Sequence, residues 1–214
     1  AFAVLIIVMS VMNGFRVELL SRILGFNGHI YVTGGVLDEP ERDGAVKRIR
    51  LLPDVVQVAP VIEAQAIAMG PNQITGAMVR GLNPEDLAST KIVSGNITHG
   101  TTKGFGAGEY GGDIVVVGER LAEAIGVKAG DPITLISPSG GATAFGGTPL
   151  QKTYTVGGTF TAGMSQYDQA YIFMPLNQAQ LFFGRDGTVD AIEVRLKDPD
   201  SALRMKAAVN RAAG

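Results

Sequence analysis

The residues of this chain whose types could carry chemistry are two histidines, an acidic cluster and a glycine run. His29 and His99 lie far apart in sequence, so the helical H-E-x-x-H pattern, with two zinc ligands one turn apart, is absent. His29 opens a strand beside an N-terminal helix, which reads as a packed or interfacial position. Asp38, Glu39, Glu41 and Asp43 could support general acid–base work as paired carboxylates, but they fall where a helix starts, on its polar face. Gly104, Gly106 and Gly108 form a G-x-G-x-G run. No clear strand precedes it and no helix follows, so it reads as a flexible loop rather than a phosphate cradle. No lysine follows a glycine, which excludes a P-loop and an ATPase in this chain. No serine sits in a G-x-S-x-G elbow. Tyr167-Asp168 reads as a turn that fixes the strand after it. The sequence assigns no catalytic residue, no metal ligand and no cofactor.

The elements that would position such groups are bounded by composition. With 214 residues the chain can build one large domain or two small ones with real cores. Its 18 basic and 20 acidic residues nearly balance, and no basic block stands out, so nucleic acid is not an expected partner. The chain has no cysteine, which excludes disulfides and thiolate metal sites and fits either cytoplasm or periplasm. No heptad or longer repeat is evident.

Residues 28–33 read as a strand with Ile30 and Val32 on one face. Asp38 reads as the cap of the next helix, with Pro40 in its first turn and Glu41 three residues after the cap. Ala45, Val46, Ile49 and Leu52 line its inner face. Residues 55–69 are strand-like, with Pro60 at a bulge or an edge, and 74–80 return as another strand after a turn. Residues 81–111 read as mostly loop, with one helix signal at 84–87 and one or two short strands. Strands are expected at 114–117, 133–136, 153–160 and 170–174. Short helices are expected at 119–125, closed by Gly126, and at 176–183. In 189–196, Ile192, Val194 and Leu196 form one apolar face. Asp198 or Asp200 caps a last helix whose buried side is Ala202, Met205 and Val209, with Ala208 beside them. This final strand–helix pair resembles the opening one. The expected fold is therefore α+β, with a discontinuous ferredoxin-like split βαβ subdomain, 27–72 plus 187–214, and an inserted, mostly β subdomain, 73–186.

Residues 1–26 differ from the rest. Through Met9 there is no polar side chain. Val8, Val11 or Met12, Phe15, Leu19, Ile23 and Phe26 then recur at helical spacing. Gly25 and Gly28 offer places to stop. The apolar run at 1–9 is too short to span a bilayer, which takes roughly 20 residues. On periodicity alone the stretch is a buried core helix or a signal-peptide remnant. It has no charged region before it and no cleavage-like site after it, which suits the tail of a longer apolar helix that leaves a membrane near Ser10.

The words VMSVMNGFR, SRILG and NGH, then VVVGERLAEAIGVKAGD and FTAGMSQYDQAYIFMPLNQAQLFFG, are similar to permeases of the LolC/LolE lipoprotein-releasing family and its wider MacB-type superfamily. The resemblance implies that residues 1–26 end the first transmembrane helix and extend it into the periplasm. It implies that the remainder is a two-part periplasmic core domain, in the bacterial inner membrane system, that hydrolyses nothing. The partners it implies are a second permease subunit, identical or related, a separate cytoplasmic ABC ATPase, lipoproteins, and a LolA-like periplasmic chaperone. An efflux or cell-division permease of the same superfamily is the alternative; a secreted hydrolase or ligand-binding domain is the remote one. Met9, Met12, Phe15 and Leu19 form an apolar stripe expected either to meet the acyl chains of a lipoprotein or to pack on its own domain or on a partner helix.

One loop adds to this. The strands at 133–136 and 153–160 bracket PSGGATAFGGTP, too long for a tight hairpin turn. Phe145 is its one large apolar residue, either an exposed anchor or folded back on the domain. In chaperone-recruiting members of the resembled family a proline-bounded hook stands here. That carries over to Pro138, Phe145 and Pro149, followed by Gln151 and Lys152. Lys152 departs from an arginine, keeping charge and losing the bidentate fork, and Thr134 stands where a basic residue is expected.

Overall fold

The computed structural model describes residues 9, 11, 12, 14, 26–35, 37–137 and 149–214. The strands among them are β1 (Ile30–Val32), β2 (Val55–Met69), β3 (Ile74–Leu82), β4 (Ile97–Gly100), β5 (Ile114–Gly118), β6 (Pro132–Ser137), β7 (Leu150–Phe160), β8 (Tyr171–Pro175) and β9 (Ala191–Leu196). The helices are α1 (Glu41–Arg50), α2 (Pro84–Ser89), α3 (Lys91–Ser94), α4 (Glu119–Ile125), α5 (Ser165–Ala170), α6 (Leu176–Phe183) and α7 (Ala202–Ala213). The mixed α+β class is as expected from the sequence.

Everything is arranged on β2. Its first half pairs antiparallel with β9, which pairs antiparallel with β1. Its second half lies antiparallel to both β3 and β6. From β3 the pairing runs parallel to β8, antiparallel to β5, parallel to β7, antiparallel to β6 and so back to β2. Six strands thus close into a ring, and β4 adds to the outside of β7.

A ring this small is filled by its own side chains. Alternate residues point inward: Ala66 and Ala68, Ala77 and Val79, Val115 and Val117, Ile133 and Leu135, Tyr154 and Val156, Ile172 and Met174. The alanines of β2 and β3 leave room for Tyr154. Helices α4 and α6 complete the same core with Leu121, Ile125, Phe182 and others, and Tyr154 meets Phe182 edge-on at 5.9 Å. Helix α4 ends as its sequence requires, with Gly126 left-handed at φ 81° and its N–H on the Ala122 carbonyl. A second core joins α1 and α7 to the β1–β9–β2 layer through Val46, Ile49, Val58, Ile192, Val194 and Val209. A third, with Phe26, Leu87, Phe105, Phe160 and Phe173, covers the outer side of the ring.

Two local expectations need correction, and of the two readings of Pro60 the edge is the one that holds. Asp38 does not cap α1 with its side chain: the cap position is Pro40, and Asp38 bridges to Thr188 while its carbonyl accepts from Arg42 N–H. Pro60 is not at a bulge. It pairs in regular register with Ile192, and pairing with β3 starts only at Ile62, so Pro60 sits where β2 is locally an edge and needs no second N–H donor. Tyr167-Asp168 is not a turn but lies within α5. Asp168, buried, accepts from Ala162 N–H at 2.6 Å and from the Thr161 hydroxyl at 3.1 Å, so it fixes the chain before it rather than the strand after it.

Candidate functional site

The stem of the long loop is well defined. Strands β6 and β7 pair from Pro132↔Thr155 to Ser137↔Leu150, so the two strand ends that bracket residues 138–149 lie side by side. Pro138 and Phe145 lie outside the described residues; Pro149 is exposed at the start of β7. Neighbouring strand residues point to opposite faces. Gln151 therefore faces outward, exposed and with no side-chain partner among the described residues. Lys152 faces the ring. Its ammonium pairs with Asp113 at 2.7 Å, donates to Gln178 Oε1 at 2.8 Å and lies 5.1 Å from the Tyr154 ring centre. Thr134, opposite Thr153, shares a 3.0 Å hydroxyl contact with it on the outer face.

Of the apolar stripe, Met9 and Met12 are helical and 67% and 65% exposed. Phe15 and Leu19 lie outside the described residues, as does most of the expected membrane segment. Among the described residues no helix is long and apolar enough to cross a membrane.

The groups that looked chemical are used locally. The acidic cluster surrounds Arg42, 5% exposed, which pairs with Glu39 and, at 3.4 Å, with Asp43. His29 Nδ1 accepts from Leu196 N–H at 3.0 Å. His99 lies 3.6 Å from Glu119 on the rim of an open groove of about 440 Å³ beside α4. Among the described residues no three potential ligands converge on a metal position.

The strongest electrostatic feature is one the sequence reading missed. Arg80 on β3 is 2% exposed and Glu193 on β9 is 4% exposed, and they form a buried ion pair. Arg80 also reaches Glu63 at 3.3 Å and donates to Asn27 Oδ1 at 3.3 Å. Burial by itself would lower the Arg80 pKa, but Glu193 and Glu63 outweigh it and the net direction is upward. The Tyr171 hydroxyl, 3.3 Å from Glu63, is pushed well above its usual value, first by burial and then by that carboxylate. Arg195 donates to Gln57 at 2.9 Å, and burial lowers its pKa. Glu193 and Arg195 alternate with Ile192, Val194 and Leu196, which alone suggests a solvent face; only the arrival of β3 and Phe26 over that face buries it.

Gln57 continues to Asp86, donating to its carbonyl at 3.0 Å. Burial raises the Asp86 pKa above its usual 3.8, only partly opposed by Gln57 and Asn83. A carboxyl whose folded pKa is raised favours the folded state below the unfolded value, and that advantage is lost as pH rises through the folded value. Relative to Asp86→Asn, the wild type is therefore expected to lose stability as pH rises from about 3.8 upward. Urea midpoints measured for both proteins between acid and neutral pH check this; a gap that does not change with pH would reject it.

The chain matches the family described as MacB-like periplasmic core domain over residues 1–212, and it belongs to that family. It is 27% identical over 205 residues to the lipoprotein-releasing system transmembrane protein LolC of Neisseria meningitidis, covering 95% of this chain and 48% of the relative. It is 31% identical over 210 residues to the corresponding protein LolE of Haemophilus influenzae, covering 95% and 49%. The chain thus spans about half the length of these curated relatives. The periplasmic region of MacB from Actinobacillus actinomycetemcomitans has a TM-score of 0.56 at 12% identity, covering 91% of this chain and 86% of that one. The extracellular domain of the ABC-type transporter YknZ from Gram-positive bacteria has a TM-score of 0.51 at 16% identity, covering 83% and 85%. At such identities these two speak for the fold alone. The chain is thus a MacB-like periplasmic core domain with LolC and LolE proteins among its relatives.

Proposed function

We propose that the chain is the non-catalytic periplasmic part of an inner-membrane permease that extracts lipoproteins and passes them to a LolA-like periplasmic chaperone. A separate cytoplasmic ABC ATPase supplies the energy, and a second permease subunit, identical or related, completes the assembly. The likeness of nearly the whole chain to proteins named for lipoprotein release supports this reading most strongly. In it, residues 27–72 plus 187–214 are the membrane-proximal subdomain and 73–186 the inserted one.

The chaperone-binding hook comprises Pro138, Phe145 and Pro149, with Gln151 and Lys152 at its foot. Gln151 faces outward and makes the direct polar contact; Lys152, held by Asp113 and Gln178, contributes a fixed positive charge. Deleting residues 139–148 is expected to abolish chaperone binding, measured by calorimetry, while the circular dichroism of the domain is unchanged. Gln151→Ala should weaken binding by about 1 kcal/mol, the order of one net hydrogen bond. Undiminished binding after the deletion would reject the hook.

Met9, Met12, Phe15 and Leu19 are proposed to meet the lipoprotein where its acyl chains leave the bilayer. A photo-crosslinker at Met12 in the full-length transporter is expected to capture lipoprotein. Capture of the partner permease alone would reject this contact.

A further inference from the structure

Among the described residues, two that are not glycine have a left-handed backbone: Asp54 at φ 67° and Tyr110 at φ 51°. Aspartate tolerates that region through its short polar side chain; a ring-bearing residue there is strained. Tyr110 lies at the end of the stretch that reads from sequence as mostly loop. The structure instead seats it on the start of α6. Gly111 lies against Pro175, where an added Cβ would sit 2.9 Å from the Pro175 Cβ, and the Tyr110 carbonyl accepts from Gln178 Nε2 at 3.0 Å. The tyrosine itself is 59% exposed, and its side chain has no hydrogen-bond or aromatic partner among the described residues. Strain is thus kept for a ring that the fold does not use.

Gln178, 3% exposed, uses both ends of its amide. While Nε2 holds Tyr110, Oε1 accepts at 2.8 Å from the Lys152 ammonium, which also pairs with Asp113 at 2.7 Å. Lys152 stands at the foot of the long loop, on the face of β7 opposite to Gln151, and Leu150 on that same face is 42% exposed. One buried amide therefore sets two groups at once: a charge at the foot of the hook and the backbone of an exposed tyrosine. Tyrosine offers a large amphipathic contact area at little cost in rotamer freedom, and fixing it before binding removes part of that cost. We infer that Tyr110 is a further contact for the LolA-like chaperone, on the Lys152 side of the hook's foot, with Gln178 as the positioning residue for both. The role rests on the chaperone reading above. The chaperone surface that fits it has apolar walls for the ring and a polar mouth for the hydroxyl.

The test titrates the full-length permease in detergent with a purified LolA-like chaperone, by calorimetry. Tyr110→Ala is expected to weaken binding about tenfold, the order of an aromatic hot spot. Tyr110→Gly, which suits the left-handed turn, should weaken it as much while amide exchange in β5, β7 and α6 stays as slow as in the wild type. Gln178→Glu keeps the acceptor for Lys152 and removes the donor to Tyr110. It should cost about fivefold, the order of one net hydrogen bond, and nothing further once Tyr110 is alanine. Binding unchanged in Tyr110→Gly would overturn the contact. So would faster exchange throughout β5, β7 and α6, because the tyrosine would then serve the fold. Equal losses from Gln178→Glu with and without Tyr110 would overturn the positioning role. Failure of the hook looks different: deletion of 139–148 leaves binding undiminished while Tyr110→Gly still weakens it, and the tyrosine contact stands.

Discussion

Arg80→Met is expected to destabilise the domain by about 3–5 kcal/mol, because it strands a buried carboxylate. Glu63 is about a third exposed and can turn to water, but Glu193 is 5% exposed at its side chain and cannot. Its Oε1 already lacks a partner among the described residues, so Arg80 supplies the hydrogen bonding that this carboxylate has there. The double variant Arg80→Met/Glu193→Met should recover most of the loss. Replacing both charges by apolar chains removes the desolvation term together with the attraction, and such exchanges are often neutral. Denaturant midpoints for wild type, single and double variants decide the matter. A single variant that loses under about 1 kcal/mol, or a double as unstable as the single, would show that the pair does not govern this junction.

Tyr154→Ala should produce a loss of similar size, about 3–5 kcal/mol, for a different reason. Tyr154 is 1% exposed inside the strand ring and packs edge-on against Phe182. Its neighbours across the ring include Ala66, Ala68 and Ala77, small side chains on strands held by pairing on both sides, which cannot collapse into the space. Tyr154→Phe separates packing from polarity. The hydroxyl has no partner among the described residues, and burial, with Asp113 second, pushes its pKa well above the usual value. Losing an unpaired buried hydroxyl is expected to leave stability unchanged or slightly higher. A Phe variant as unstable as the Ala variant would mean that the hydroxyl has a partner after all.

What could be read from the sequence was local and periodic. Helix α4 was bounded correctly because Gly126 can go left-handed where its neighbours cannot. The apolar face of β9 followed from strict alternation, and all three of its residues are buried. The four-residue α3 went unread because one turn carries no period. Ring closure was beyond reach for another reason. It depends on the parallel pairings β3–β8 and β5–β7, and no single strand specifies its distant partner. Arg80 and Glu193 are 113 positions apart, each unremarkable within its own strand. The separation of Gln151 from Lys152 was legible, since a period of two puts adjacent strand residues on opposite faces. A likeness to a known hook drew the two together as one surface.

Closure of the ring also bears on how this domain stays apart from other sheets. An open row of backbone donors and acceptors is a template on which a foreign strand can add. Along the path of the described strands β1 and β4 lie at the ends, and the first half of β2 has one open side, where Pro60 withholds a donor. β1 is three residues long; β4 is four, with its register broken between Ile97 and His99. Neither offers the long flat margin that propagates a cross-strand stack. A sheet rich in valine, isoleucine and alanine is thereby kept from polymerising, without a gatekeeping proline or lysine on either terminal strand.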